Sequence, residues 1–180
     1  MDFGALVHQC LLMRLEPLPE LTAEQAELSK RIAGQRGGLP GPFQVWIRSP
    51  GLCDRIESLA TYCQSRSALP VRLRELTLMI VARHFGTRQQ WNAHLGKAAG
   101  AGLDPEALAR LDRGEEPRFP AADEETLYEF ATELLDTHFV SDKTFAAALA
   151  EFGEPGLVDL IGSLGNYAMF SMALNVFEVG

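Results

Sequence analysis

The chain has 180 residues, 47% of them hydrophobic and 22% charged, which fits one domain with its own core. Its formal net charge of −8 argues against nonspecific attraction to nucleic acid or to an anionic membrane. No apolar run reaches the roughly 20 residues of a membrane span. The start MDFGALVHQC carries Asp2 and no basic n-region, so no secretory signal is expected.

Taken in chain order, the sequence predicts helices nearly throughout. LTAEQAELSKRIAG carries a capping box, Thr22 with Gln25 three positions on, and a stop near Gly34. GQRGGLPGP reads as a loop. SPGLCDRIESLATYCQ opens with Ser49 as N-cap and Pro50 at the first helical position. LPVRLRELTLMIVARHFG predicts a helix from Pro70 that ends at Gly86, and Thr87 is placed to cap the next one, which runs to the Gly100 region. LDPEALARLDRG has Asp104 as cap, Pro105 inside and Gly114 as terminator. A Pro-punctuated connector, EEPRFPAA, precedes DEETLYEFATELLDTH, whose first-turn acids suit the helix dipole. SDKTFAAALAEFG starts at Ser141 and stops at Gly153, and the tail from Gly156 reads as one long apolar helix. No period-2 alternation persists, so the predicted fold is all-α, a single domain over 1–180 with residues 1–34 as an N-terminal helical extension.

Cys10, Cys53 and Cys63 make an odd count with no C-x-x-C pair. On one helix, Cys53 and Cys63 would sit about 15 Å apart at ~1.5 Å per residue, too far for the ~7 Å limit of a disulfide. A reducing, cytoplasmic compartment is the simplest expectation.

On a helical wheel, Glu75 shares a face with Val71, Leu78, Met79 and Ala82, while Leu73, Leu76, Ile80 and His84 form a nearly opposite stripe. A helix apolar on two sides is buried, in the core or at a subunit contact. Both are expected here, one face to the core and the other to a neighbouring copy. A carboxylate in that setting needs a partner. Arg72, Arg83 or another arginine would make it a structural ion pair. The next helix offers His94, which shares a face with Gln90, Trp91, Lys97 and Ala98. The short turn predicts an antiparallel hairpin, across which Glu75 and His94 can meet as an oriented acid–base pair. His84 points to the other side of its helix from Glu75, and His8 and His138 have no ligand spacing, so no metal site is expected.

These residues carry a family resemblance. RELTLMIVARHFGTRQQWNAHLGKAAGAGL resembles the carboxymuconolactone decarboxylase family and, more distantly, alkylhydroperoxidase D. The matching positions are Glu75, then Ala82-Arg83-His84, then Gln89-Gln90-Trp91 with His94, then Gly102-Leu103. GPFQVWIRSPGL and LGNYAMFSMALNVF are similar as well, so the likeness covers roughly residues 35–180. The chain departs from the pattern twice. The thiol pair of peroxidase-like members falls on Thr87 and Gln90, and a dithiol relay needs a thiolate and a resolving thiol. The Glu of decarboxylase-like members is Gln90, which hydrogen-bonds but cannot act as a carboxylate base.

The resemblance implies a helical bundle with a central helix hairpin, assembled as a homo-oligomer (dimer, trimer or hexamer). It also implies a cofactor-free lyase acting on a carboxylated lactone or related keto acid in aromatic-compound catabolism. His94 and Glu75 would be catalytic, with Gln90, Trp91, Arg83 and His84 binding substrate and Lys97 a weaker candidate. Two alternatives stand beside it: a binding oligomer of the same fold that has lost catalysis, suggested by Gln90, and a peroxidase-like oxidoreductase, against which the missing cysteine pair counts. Tyr167, Asn166 and Asn175 in the final helix read as structural hydrogen-bonding groups.

Overall fold

The computed structural model describes residues 14–179. His8 and Cys10, and the expected absence of a leader at the N-terminus, lie outside them. The described residues form eight helices and no strand: α1 (Ala23–Arg36), α2 (Gly41–Trp46), α3 (Pro50–Ser65), α4 (Val71–His84), α5 (Arg88–Gly100), α6 (Pro105–Arg113), α7 (Ala122–Thr137) and α8 (Asp142–Phe177). The all-α expectation holds.

The local signals explain most of these boundaries. At α1 both hydrogen bonds of the Thr22–Gln25 capping box are present. The helix runs past Gly34, however, and ends at Gly37 in the left-handed conformation, φ 74°. A glycine inside a helix costs only about 1 kcal/mol, and the extra turn carries Arg36 to Glu57 at 3.0 Å. The end of the segment read as a loop opens α2, with Pro40 at its N-cap and Pro42 in its first turn. Asp104 accepts a hydrogen bond from the Ala107 amide, and Gly114 closes α6 with φ 73°. Thr87 holds the N-cap position of α5 but makes no capping hydrogen bond through its side chain. Helix α8 is broken at Gly153, φ 65° and ψ 173°, where the sequence predicts a stop, so residues 142–152 and 154–177 are separate helical runs.

Residues sort into two compact units, one of 14–59 with 172–179 and one of 60–171, with α3 and α8 passing from one to the other. In the first unit, Arg36 stacks over Phe43 at 4.9 Å and pairs with Glu57, and Val45, Leu174 and Val179 cluster.

The second unit is built on α4. Leu73, Leu76, Met79 and Ile80 from α4 meet Trp91 of α5, Leu108 of α6, Leu127 and Phe130 of α7, and Leu160 and Leu164 of α8. Each such side chain contributes about 1.5–3 kcal/mol on burial. Every residue from Leu76 to Ala82 is buried. Apart from Val71, which is exposed at the start of the helix, the apolar residues of both α4 stripes are covered by this chain's own helices, α5, α6 and α7 among them. The second stripe was expected to face a neighbouring copy, and the intramolecular packing removes that need.

The C-terminal helix corrects another expectation. By length and composition α8 is apolar enough to cross a membrane, with half of its most apolar window buried within the chain. Leu157, Leu160 and Leu164 of this helix pack in the core of the second unit.

Candidate functional site

The site is set by the α4–α5 hairpin. Gly86, at φ 66°, lets the chain reverse within three residues, and the Thr87 amide donates to the Ala82 carbonyl at 2.8 Å. The reversal lays α5 against α4 so that one face of each meets. Glu75, three turns before the bend, then lies opposite His94. The imidazole Nδ1 is 2.8 Å from Glu75 Oε2, with both side chains mostly shielded. The carboxylate accepts the Nδ1–H, which leaves Nε2 as the nitrogen available for proton exchange.

The pair opens on a cleft of about 180 Å³ lined by Gln64 of α3, Val71, Arg74 and Glu75 of α4, His94 and Lys97 of α5, and Tyr167 of α8. Two cations against one carboxylate make this cleft locally positive on a chain of net charge −8. Arg74 Nη1 donates to the Gln64 carbonyl at 2.6 Å, while its buried Nε has no hydrogen-bond partner among the described residues. Tyr167 is 5% exposed. Burial first, then nearby Cys63 and Glu75, push its phenol well above the ordinary tyrosine range, with Arg74 opposing.

The sequence-derived site residues divide. Glu75 and His94 are brought together, and Lys97 joins them. The alternative partners of Glu75 are engaged elsewhere. Arg72 binds Asp123 at 2.7 Å and also Glu124. Arg83 Nε donates to the Leu111 carbonyl at 3.0 Å. Its guanidinium passes so close to Gly114 that a Cβ there would fall 2.5 Å from Nη2. Arg83 thus closes the end of α6 and does not line the cleft. His84 does not line it either: its Nδ1 lies 3.4 Å from Asp136 Oδ1, and its ring meets Phe85 edge-on. Gln90 is buried, its Oε1 accepting the Ser171 hydroxyl at 2.8 Å. Trp91 is a core side chain, 2% exposed. These four residues were expected to bind substrate, and none of them lines this cleft. Conversely, Gln64, Arg74 and Tyr167 reach the cleft without having been singled out for it. Only Arg74 had a local signal, its place beside Glu75.

No family model matches the chain, and no curated protein does. Solved structures do. The chain is similar to an uncharacterized peroxidase-related protein from Silicibacter sp. TM1040, with a TM-score of 0.75 at 14% identity over 94% of this chain and 90% of that one. It is similar also to an AhpD-core, peroxidase-related protein from Ralstonia eutropha JMP134, with a TM-score of 0.75 at 13% identity over 94% and 92%. A debrominase, Bmp8, in complex with 2,3,4-tribromopyrrole, superposes with a TM-score of 0.72 at 12% identity over 94% of each chain. The fold is therefore that of the alkylhydroperoxidase D-like proteins. At these identities the likeness extends to the fold alone.

Proposed function

We propose that the Glu75–His94 cleft is the active site of a cofactor-free lyase, similar to carboxymuconolactone decarboxylase, that removes CO2 from a small carboxylated lactone or keto acid. One observation carries this reading: the oriented carboxylate–imidazole pair at 2.8 Å lines a cleft that also holds two cations. Arg74 and Lys97 draw in and orient an anionic substrate. The bond to the substrate carboxylate breaks, CO2 leaves, and the electron pair passes into the adjacent carbonyl as an enolate. The imidazolium of His94, held by Glu75, gives its Nε2 proton to the carbon, and solvent restores the proton. Lys97 is exposed, which places a solvated cation where an incoming anion arrives.

The positions where peroxidase-like relatives carry a thiol pair support a route without sulfur. Thr87 and Gln90 stand there, 3% and 7% exposed, so neither a nucleophile nor access is available. We propose further that the chain works as a homo-oligomer. Val158 and Ile161 are exposed on α8, and nothing lies within 4 Å of a Cβ built at Gly165 on the same helix, which leaves room for a partner helix.

The test is CO2 release from a panel of carboxylated lactones and β-keto acids, with His94→Gln beside the intact chain. The expected outcome is turnover that His94→Gln lowers by about 100- to 10,000-fold, the usual weight of a general acid–base group. Anion binding in the cleft with no CO2 release from any substrate would favour the binding oligomer. Turnover that survives His94→Gln would defeat the assignment of His94.

A further inference from the structure

A buried tyrosine normally satisfies its hydroxyl within the protein, and Tyr167 stands apart from that pattern among the described residues. The residue is 5% exposed, lines the cleft, and makes no hydrogen bond to any described residue of the chain. The hydroxyl is thus an unspent donor inside a site that already holds a proton-transfer pair. Beside it stands a second incomplete donor set, that of Arg74, whose buried Nε lacks a partner. We infer that Tyr167 is the oxyanion donor of this cleft, its O–H hydrogen-bonding the enolate oxygen that forms as CO2 departs, with Arg74 adding positive charge on the same side.

The inference rests on the proposed lyase reading and deepens it. In that reaction the proton from His94 goes to carbon, so a separate group must hold the charge that develops on oxygen. Enolate stabilisation in a site shielded from water is worth more than the same bond in solvent. A phenol suits the task only if it keeps its proton. Burial does this by raising the energy of the phenolate, with the Glu75 carboxylate acting in the same sense. Tyr167 therefore donates a hydrogen bond without transferring its proton. The acid–base work stays on His94, and the two residues divide carbon from oxygen. Tyr62, on α3, shows the contrast: its hydroxyl is already committed to Asp159 at 3.0 Å.

The test is an equilibrium one, so it does not depend on knowing the substrate. The probe is 4-nitrophenolate, whose charged oxygen mimics an enolate and whose absorbance reports its ionisation. The comparison ligand is 4-nitrobenzoate, which presents a carboxylate instead. Tyr167→Phe keeps the ring and removes only the hydroxyl, and thermal unfolding checks that the fold survives. The expected result is binding of 4-nitrophenolate by the intact chain, weakened about 10- to 100-fold in Tyr167→Phe, the range for losing a hydrogen bond to a charged acceptor. Binding of 4-nitrobenzoate should change by less than about threefold, because Arg74 and Lys97 still hold it. Absence of nitrophenolate binding, unchanged binding in Tyr167→Phe, or an equal fall for both ligands would overturn the assignment. If no lactone or keto acid yields CO2 while Tyr167→Phe still loses nitrophenolate selectively, the lyase reading fails and the oxyanion donor stands.

Discussion

Helix α4 carries two charged groups into the interior three residues apart, and they meet opposite fates. Arg72 is enclosed by Asp123 and Glu124 at the start of α7, with Glu124 only 1% exposed. Glu75 meets one partner, His94, and the pair borders a cleft. The first arrangement pairs its charge internally and borders no part of the cleft. The second keeps Nε2 of an oriented imidazole unspent. Buried charge alone therefore does not mark a site on this helix; an unfinished hydrogen-bond inventory beside open volume does.

Breaking the sealed network gives the largest expected change in stability. Arg72→Met leaves the Glu124 carboxylate buried and uncompensated, and should cost about 3–5 kcal/mol, read from urea unfolding. Turnover per folded molecule should hold, because Arg72 does not line the cleft. A loss below about 1 kcal/mol would show that Glu124 finds solvent or another partner, and the contrast between the two charges would collapse.

Breaking the open pair sharpens the contrast from the other side. Glu75→Gln keeps the shape and removes the charge that holds the imidazole. Turnover should fall about 10- to 100-fold, while stability changes by less than ~1 kcal/mol because cleft water can solvate what is left. CO2 release and urea unfolding on the same sample read both quantities. The reverse pattern, several kcal/mol lost with turnover intact, would make Glu75 a second Arg72.

The sequence exposes the features that are local in the chain. Thr22, Asp104, Gly114 and Gly153 act within four residues of themselves, and each marks a boundary that the structure keeps or breaks at that point. The Glu75–His94 meeting is equally legible, since a wheel position, a short turn and a second wheel position suffice to place it. What distant packing decides is not visible. Gly34 stays helical while Arg36 reaches Glu57 across the unit. Gln90 has the size and chemistry of a substrate ligand, but Ser171, 81 positions away, takes its oxygen. Tyr167 reads as a structural phenol until the turn of α8 that faces the cleft is known. The second apolar stripe of α4 implies a cover without naming it, and the covering helices turn out to belong to the same chain.

The thiols give the smallest expected effect on turnover. Cys53 and Cys63 lie on α3, and both are free and buried. Cys63 directly precedes Gln64, which lines the cleft, yet Cys63 itself is 1% exposed. Burial raises both thiols, that of Cys53 to about 11, with neighbouring Glu57 adding to the effect. Thiolate is therefore scarce near neutral pH, and the thiols belong with the sealed interior. Replacing both by alanine should leave turnover within about threefold per folded molecule, since neither thiol lines the cleft. A peroxide-reducing activity lost with either cysteine would place sulfur in the chemistry after all. The same burial fixes the sign of an alkaline effect. A thiol whose folded pKa lies above its unfolded value stabilises the fold below the unfolded value, near 9, and loses that contribution as pH rises through about 11 for Cys53. Unfolding free energy should fall over that window by on the order of 2–3 kcal/mol for Cys53. Cys53→Ala, already weaker at pH 8 for want of packing, should show a shallower decline. An equally steep decline in that variant would shift the alkaline loss to the other groups that burial raises, Cys63, Tyr128 and Tyr167, all of them in the unit that holds the cleft.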